Sequence, residues 1–223
     1  MPRQGASAGA VSAGVPRPVL DVGGDGYLSG MAITVVPAAE AGWPAVEPVF
    51  QSEAGARNCW CQFHVLANSE QRETTRKSRR ELLREQVETL DPPRGLVALD
   101  DGAPVGWCGV EPRVRLHHVL ATKLVVANSP EPLDDPHVWS IYCILVPPRI
   151  RRQGIGAALL HAGVEHAAAH GATALEGYPI DTALRGGKLP PGFSTGTVSM
   201  FQEEGFEPVA ALPSARTLVH RRA

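Results

Sequence analysis

The sequence has little of several features that mark specialised classes of protein. Four cysteines in 223 residues are too few for the disulfide framework of a secreted domain. The formal net charge is only -2, which argues against a domain whose main partner is a polyanion. No apolar run approaches the roughly 18 residues that a membrane span needs. We therefore expect a soluble, reduced, cytoplasmic protein without a nucleic-acid or membrane partner.

Residues 1–30 differ in amino-acid composition from the rest of the chain. They are rich in Gly, Ala, Ser and Pro, and they contain no apolar segment of the kind found in a secretory signal. Such a composition cannot bury enough apolar surface to offset the entropy of ordering. We predict a disordered leader over 1–30 and a single domain over 31–223.

The remaining sequence alternates between strand and helix patterns, which predicts a mixed α/β fold. Residues 71–90 and 154–170 have apolar side chains at helical spacing, and Gly171 closes the second helix. Asp101-Gly102 lies between two apolar runs and predicts a hairpin. Further strands are predicted at 32–36, 138–146 and 172–178, a helix at 194–204, and a closing hairpin at 207–212 and 216–220.

One stretch carries most of the chemical information. The predicted strand 138–146 enters a basic turn with glycines at 154 and 156, and a helix follows directly. The first turn of a helix has unpaired N–H groups and the positive end of the helix dipole. Glycines leave that backbone open, and Arg151 and Arg152 add positive charge. The pattern predicts a cradle for a diphosphate.

Three nucleotide-binding motifs compete for this turn. A Walker A loop requires a lysine that is absent here, and a Rossmann fingerprint requires a small residue where Leu159 stands. Arg151-x-x-Gly154-x-Gly156 resembles motif A of the GNAT (GCN5-related) N-acetyltransferases, (Arg/Gln)-x-x-Gly-x-(Gly/Ala). Pro148 and the pair Gly205-Phe206 also resemble features of that family, as does the order of predicted elements.

The resemblance implies the GNAT fold, a central mixed β-sheet flanked by helices, with acetyl-CoA as co-substrate and no metal. In the family, pantetheine binds beside the strand before the turn, and an N–H near Leu145 or Val146 would polarise the thioester carbonyl. The resemblance implies that coenzyme A is bound by Ile144, Leu145, Val146, Arg151, Arg152, Gln153, Gly154, Ile155, Gly156, Ala157, Ser194 and Phe201.

At the positions of the proton-transfer groups, the sequence departs from the family pattern. Many members have an acidic tyrosine four residues before the glycine of Gly-Phe, where this chain has Phe201. The predicted catalytic residues are Tyr142 and Glu176, candidates for the base by strand position, and Tyr178, which with Tyr142 is a candidate for the acid. Glu176 can equally be a structural carboxylate, the acid can be Ser199, a water can relay the proton, or the thiolate can leave unassisted.

The segment Cys59-x-Cys61-x-x-His64 allows three interpretations. As a zinc site its Cys-x-Cys spacing is too tight, and a second ligand pair is missing. It can be a packed turn, because a free cysteine behaves as a small apolar residue. By resemblance, the segment lies where the family shapes its acceptor pocket, so Trp60, Phe63 and His64 are predicted to bind the acceptor.

The function expected from these observations is acetyl transfer to the primary amine of a small molecule by direct attack. A protein or peptide amine is the alternative within the enzyme class. A regulatory module that binds acyl-CoA without turnover is the alternative outside it. A homodimer is one expectation for the assembly.

Overall fold

The computed structural model describes residues 32–190 and 192–223, so the predicted leader lies outside the described residues. Seven strands form one sheet in the order β1-β2-β3-β4-β5-β7-β6. Neighbouring strands are antiparallel except β4 and β5, which are parallel. The strands are β1 (Ile33–Pro37), β2 (Leu96–Asp100), β3 (Ala103–Pro112), β4 (Val138–Leu145), β5 (Ala174–Gly177), β6 (Glu207–Leu212) and β7 (Arg216–Arg222).

Helices cover both faces of this sheet. One apolar core contains side chains of α8 and α9, and the other contains side chains of α2, α5 and α7. Within the described ranges, no helix is long and apolar enough to cross a membrane. The helices are α1 (Ala38–Ala41), α2 (Trp43–Gln51), α3 (Ala54–Cys59), α4 (Asn68–Glu73), α5 (Arg76–Thr89), α6 (His117–Leu120), α7 (Lys123–Asn128), α8 (Ile155–Ala169) and α9 (Val198–Glu203).

Two predicted helices are longer than the corresponding helices of the structure. The helix predicted over 71–90 is two helices, because Thr75 caps α5 and its Oγ1 accepts the N–H of Ser78 at 3.1 Å. The helix predicted over 194–204 starts only after Thr197, whose Oγ1 accepts the N–H of Met200 at 3.3 Å. In both places a threonine side chain takes a helix-terminal donor, which fixes the start of a new helix.

A bulge in β4 sets the geometry of the site. Gly109 of β3 pairs with Cys143, whereas the next residue, Val110, pairs with Ile141, so Tyr142 is the extra residue. Tyr142 and Cys143 consequently both belong to the core under α2 and α5. Just before the bulge, β4 and β5 cease to pair after Ile141 and Gly177. The two parallel strands separate from that point onward.

Candidate active site

The turn before α8 presents free backbone donors. Gly154 has φ = 76° and provides no side-chain cap, and the first helical bond is that from the Ala158 N–H to the Gly154 carbonyl at 3.0 Å. The N–H groups of Ile155, Gly156 and Ala157 therefore lie ahead of the first bond. The φ of 76° is in the left-handed region that favours glycine, which explains the residue at 154.

A groove continues from this turn along β4. A Cβ on Gly156 would lie 3.6 Å from Met200 Sδ and 3.8 Å from Ile144 Cγ2, so the bare helix surface faces the groove. The groove has a volume of about 160 Å³. It is lined by Ile144, Val146, Arg151, Arg152, Ile155, Gly156, Leu189, Phe193, Gly196, Thr197 and Met200. An apolar channel that ends at free amides fits a long thiol arm attached to a diphosphate.

The two predicted arginines differ in their surroundings. Arg152 is exposed at the mouth of the groove. Arg151 is held by the chain itself, because its Nε donates to the Val146 carbonyl at 2.9 Å and its Nη2 donates to Glu53 Oε2 at 2.8 Å. Arg151 thus fixes the turn against the segment between α2 and α3, and Arg152 is the charge left free for a ligand.

The open edge of β4 is partly filled by the chain. The Ile144 N–H donates to the Ser194 carbonyl at 2.6 Å, and the Ile180 N–H donates to the Gly196 carbonyl at 2.9 Å. Residues 194–196 therefore lie between β4 and the chain that follows β5. The prediction that Ile144 offers a free donor is wrong for this conformation, and Ser194 contacts β4 through its main chain. Val146 retains an N–H for which the described part of the chain supplies no main-chain acceptor.

Phe201 lies in the core and does not line the groove. Its side chain is fully buried, and its ring packs edge-on against Phe206 at a centroid distance of 5.0 Å. A Cβ on Gly177 would lie only 2.3 Å from this ring. The neighbouring Met200 faces the groove instead, so the structure does not support the predicted contact between Phe201 and pantetheine.

A second cavity lies on the other face of β4. It has a volume of about 230 Å³, and Leu145 and Cys143 point into it, whereas Ile144 and Val146 point into the groove. The cavity is lined by Phe50, Glu53, Gly55, Ala56, Cys59, Cys61, Phe63, His64, Cys143, Leu145, Gly192, Ser194, Thr195 and Arg216.

Of the three residues predicted to bind the acceptor, Phe63 and His64 line this cavity and Trp60 does not. Trp60 is buried and stacks on Phe50 and Trp43, with ring centroids 5.4 and 6.1 Å away. The reason is its φ of 47°, which turns its side chain into the core beneath α2.

Cys61 is held in an unusual environment. It has φ = 56°, its sulfur accepts the indole N–H of Trp107 at 3.3 Å, and its carbonyl accepts from Arg94 Nη2 at 2.7 Å. Burial alone would raise the pKa of this thiol. A hydrogen bond from Cys143 and the charge of Arg94 outweigh burial and lower the pKa to about 7. The cavity therefore holds a thiol that is partly ionised near neutral pH.

Tyr142 lies behind that thiol in a closed network. Its hydroxyl donates to Glu111 Oε1 at 2.6 Å and accepts from Arg94 Nε at 3.0 Å, and the guanidinium also pairs with Glu111 at 3.1 Å. Burial raises the pKa of Tyr142 well above its usual value. Its proton is already committed to Glu111, a partner that the sequence did not indicate.

Glu176 and Tyr178 form a second closed network. Glu176 Oε1 accepts from Arg113 Nη1 at 2.7 Å and from Ser129 Oγ at 2.5 Å, and Glu176 Oε2 accepts from the Tyr178 hydroxyl at 3.2 Å. Both charged side chains are fully buried. Burial, followed by the charge of Glu176, raises the pKa of Tyr178. Both predicted catalytic residues thus lie in a structural network that lines neither the groove nor the cavity.

Besides thiols and the hydroxyl-bearing residues Ser194 and Thr195, the cavity is lined by His64, Glu53 and Arg216, of which pattern reasoning found only His64. Burial, with the nearby charges of Arg216 and His118, lowers the pKa of His64 to about 3, so its imidazole is neutral. Arg216 Nη1 donates to the Tyr178 carbonyl at 3.1 Å and to Thr195 Oγ1 at 2.8 Å. Within residues 32–190 and 192–223, no group of three or more His, Cys, Asp or Glu side chains is arranged to hold a metal ion.

Comparison with known proteins agrees with the fold and the turn. Residues 60–181, more than half of the chain, match the model of the acetyltransferase (GNAT) family. The chain therefore belongs to the GNAT acetyltransferases, a family that uses acetyl-CoA to transfer acetyl groups.

Solved structures share this fold at low sequence identity. A GCN5-related N-acetyltransferase from Kribbella flavida is 24% identical with a TM-score of 0.51, over 86% of this chain and 98% of that one. The PaiA N-acetyltransferase from Thermoplasma acidophilum, in complex with coenzyme A, is 13% identical with a TM-score of 0.50, over 86% and 100% of the two chains. No curated protein matches the chain significantly.

Proposed function

We propose that this protein transfers the acetyl group of acetyl-CoA to the primary amine of a small molecule by direct attack. One observation carries the proposal. A groove that ends at the free amides before α8 and a small cavity that contains charged side chains lie on opposite faces of the same separated end of β4. A thioester bound from one side can then meet an amine bound from the other.

The chain offers contacts for the diphosphate, the thiol arm and the thioester of the coenzyme. The amides of Ile155, Gly156 and Ala157 would bind the diphosphate, with Arg152 as the nearby free cation. The apolar side chains of the groove would hold the arm. The Val146 N–H is the donor that we propose for the thioester carbonyl, whose oxygen becomes negative during attack.

We propose that the ammonium proton passes through water to the Glu53 side of the cavity, because its lowered pKa makes the His64 imidazole too weak a base to take that proton. The neutral imidazole of His64 can accept a hydrogen bond from the amine, and the carboxylate of Glu53 lies at the wall next to Arg151. No tyrosine lines the cavity or the groove in the described part of the chain. The coenzyme thiolate would therefore leave without a tyrosine acid, which suits a leaving group with a thiol pKa near 8.5.

The size of the cavity favours a small acceptor over a peptide. Its volume of about 230 Å³ is below the roughly 300–1,000 Å³ of sites for drug-sized ligands. The segment with Gly192, Ser194 and Thr195 forms one of its walls. An extended peptide would need that wall to move.

The test is release of free thiol from acetyl-CoA in the presence of a panel of small primary amines and short peptides. We expect release above background with small amines. Release with peptides alone would favour the peptide alternative. Tight binding of coenzyme A with no release by any amine would contradict the enzyme and favour a regulatory module.

A further inference from the structure

Arg216 is the cavity's uncompensated charge. It is half-buried on β7, and burial lowers its pKa. Other arginines in comparable positions have carboxylate partners: Arg94 pairs with Glu111, Arg113 with Glu176, and Arg151 with Glu53. In the described part of the chain, no carboxylate is ion-paired with Arg216. The unpaired donors of Arg216 are not sealed inside the core, so they are open to a ligand that enters the cavity, and a positive charge at this wall favours an anionic one.

The surroundings of Arg216 leave room for that partner. Within the chain, only Nη1 of Arg216 donates hydrogen bonds, to the Tyr178 carbonyl and to Thr195 Oγ1. The Nε and Nη2 donors of Arg216 therefore have no partner in the described residues. The Thr195 hydroxyl accepts from Arg216, so its own hydrogen can be donated to a ligand. Thr195 is only 3% exposed and lines the cavity.

The other groups of the cavity do not supply the missing negative charge. The carboxylate of Glu53 is already paired with Arg151. Hydrogen bonding to Cys61, followed by burial, raises the pKa of Cys143, which is therefore a neutral thiol. His64 is neutral as well. The Cys61 thiol is partly ionised near neutral pH, but its negative charge is already balanced by Arg94 and by the indole N–H of Trp107.

We propose that the acceptor carries a carboxylate as well as its amine, and that the fork of Arg216 binds this carboxylate beside the Thr195 hydroxyl. A planar guanidinium matches a carboxylate through two parallel hydrogen bonds. The inference rests on the proposed function and narrows its substrate class to small amino acids. A protein N-terminus has no carboxylate on its first residue unless that residue is acidic, so Arg216 also favours a free amino acid over a chain end.

The first experiment measures binding and needs no turnover. N-acetylglycine represents the product class, and N-methylacetamide lacks the carboxylate but keeps the amide. We expect N-acetylglycine and larger N-acetyl amino acids to raise the melting temperature of the full chain more than N-methylacetamide does. Arg216→Gln should remove that difference, and Arg216→Lys should restore part of it. A difference that survives in Arg216→Gln, or that no N-acetyl amino acid produces in the wild type, would overturn the inference.

The second experiment uses turnover. Each amino acid is compared with the amine that has the same structure without the carboxylate. The ratio of kcat/KM for the amino acid to kcat/KM for the amine should exceed one. Arg216→Gln should reduce that ratio about 10- to 100-fold, mainly through KM, which is the effect of losing hydrogen bonds to a charged group. A ratio near one in the wild type would overturn the inference while leaving the proposed function intact.

The control variant addresses a purely structural role of Arg216. Thr195→Val removes one of the two contacts that Arg216 Nη1 makes within the chain and keeps the guanidinium. It should lower the preference for carboxylates less than Arg216→Gln does. If both variants lower it equally and both lower the melting temperature equally, Arg216 acts by supporting the wall and the inference fails.

Discussion

At the residue scale, Cys61 shows how a side chain can be activated by its neighbours alone. Two consecutive residues with positive φ, Trp60 and Cys61, send the indole into the core and the sulfur into the cavity. The sulfur then meets the N–H of Trp107 and the field of Arg94. Each of these groups stabilises the thiolate more than the thiol.

We predict that Cys61 is alkylated selectively near neutral pH. The thiolate is the reactive form, so the rate with iodoacetamide should rise with pH through a midpoint near 7. Cys59 and Cys143 have raised pKa values and should react more slowly at that pH. Mass spectrometry of the peptides that contain each cysteine measures the three rates.

The control is Trp107→Phe, which removes the N–H donor and should move the Cys61 midpoint upward. A wild-type midpoint near 9, the value of an ordinary thiol, would contradict the proposed environment of Cys61.

We also predict that Glu176 acts in stability and not in catalysis. Glu176→Gln leaves the buried guanidinium of Arg113 without its counter-charge, which typically costs about 3–5 kcal/mol. The free energy of unfolding, measured in urea, should fall by about that amount. Glu88→Gln breaks the exposed pair with Arg84 and should change it by less than about 1 kcal/mol.

The opposite result would be equally informative. If Glu176→Gln leaves the unfolding free energy unchanged but abolishes thiol release per folded molecule, then Glu176 serves the reaction and the network described above does not explain it.

The site residues that sequence reasoning found and missed differ in one respect. Gly154 and Gly156 belong to a local pattern whose chemistry can be read from spacing alone. Glu53 and Arg216 reach the same cavity from segments 163 positions apart, and neither belongs to a local motif. They meet only because β7 pairs with β5 in the sheet and Arg151 holds Glu53 beside the turn before α8. Residues contributed by distant elements therefore require the structure.

At the element scale, the start of α8 is the coenzyme site that we propose. We predict that Gly156→Leu weakens coenzyme A binding at least tenfold, because its side chain extends into the groove toward Met200 and Ile144. The Cβ itself meets both neighbours at ordinary contact distance, so the helix should fold normally. Calorimetry with coenzyme A measures the change.

Ala168→Leu is the matched control, since it makes a similar change on the exposed last turn of the same helix. Equal loss of binding in both variants, or none in Gly156→Leu, would contradict the position assigned to the groove.

Elements with strong local signals were predicted well. Asp101 and Gly102 have φ values of 46° and 79°, as a two-residue hairpin turn requires, and the helix 154–170 closes at Gly171, which has φ = 78°. The bulge at Tyr142 was not predicted, because the run from Val138 to Val146 is apolar or aromatic except for Ser140 and carries no alternation to reveal a shifted register. That bulge decides which side chains of β4 face the cavity that contains His64 and Arg216.

At the scale of the whole molecule, the sheet separates two chemical compartments. The face under α8 provides apolar surface and free amides, and the face under α2 and α3 provides thiols, an imidazole and charged groups. The compartments meet where β4 leaves β5, and residues 194–196 lie across that junction. The coenzyme binding that we propose along β4 would therefore compete with the Ser194 carbonyl for the Ile144 N–H.

A crystal structure of the protein with bound coenzyme A tests this division most directly. We expect the diphosphate on the amides of Ile155, Gly156 and Ala157, and the thiol at the junction, facing the cavity that contains His64 and Arg216. The Ser194 carbonyl should have moved away from Ile144. A diphosphate bound elsewhere, or a thiol arm that leaves the β4 edge occupied by Ser194 and points away from that cavity, would contradict the account.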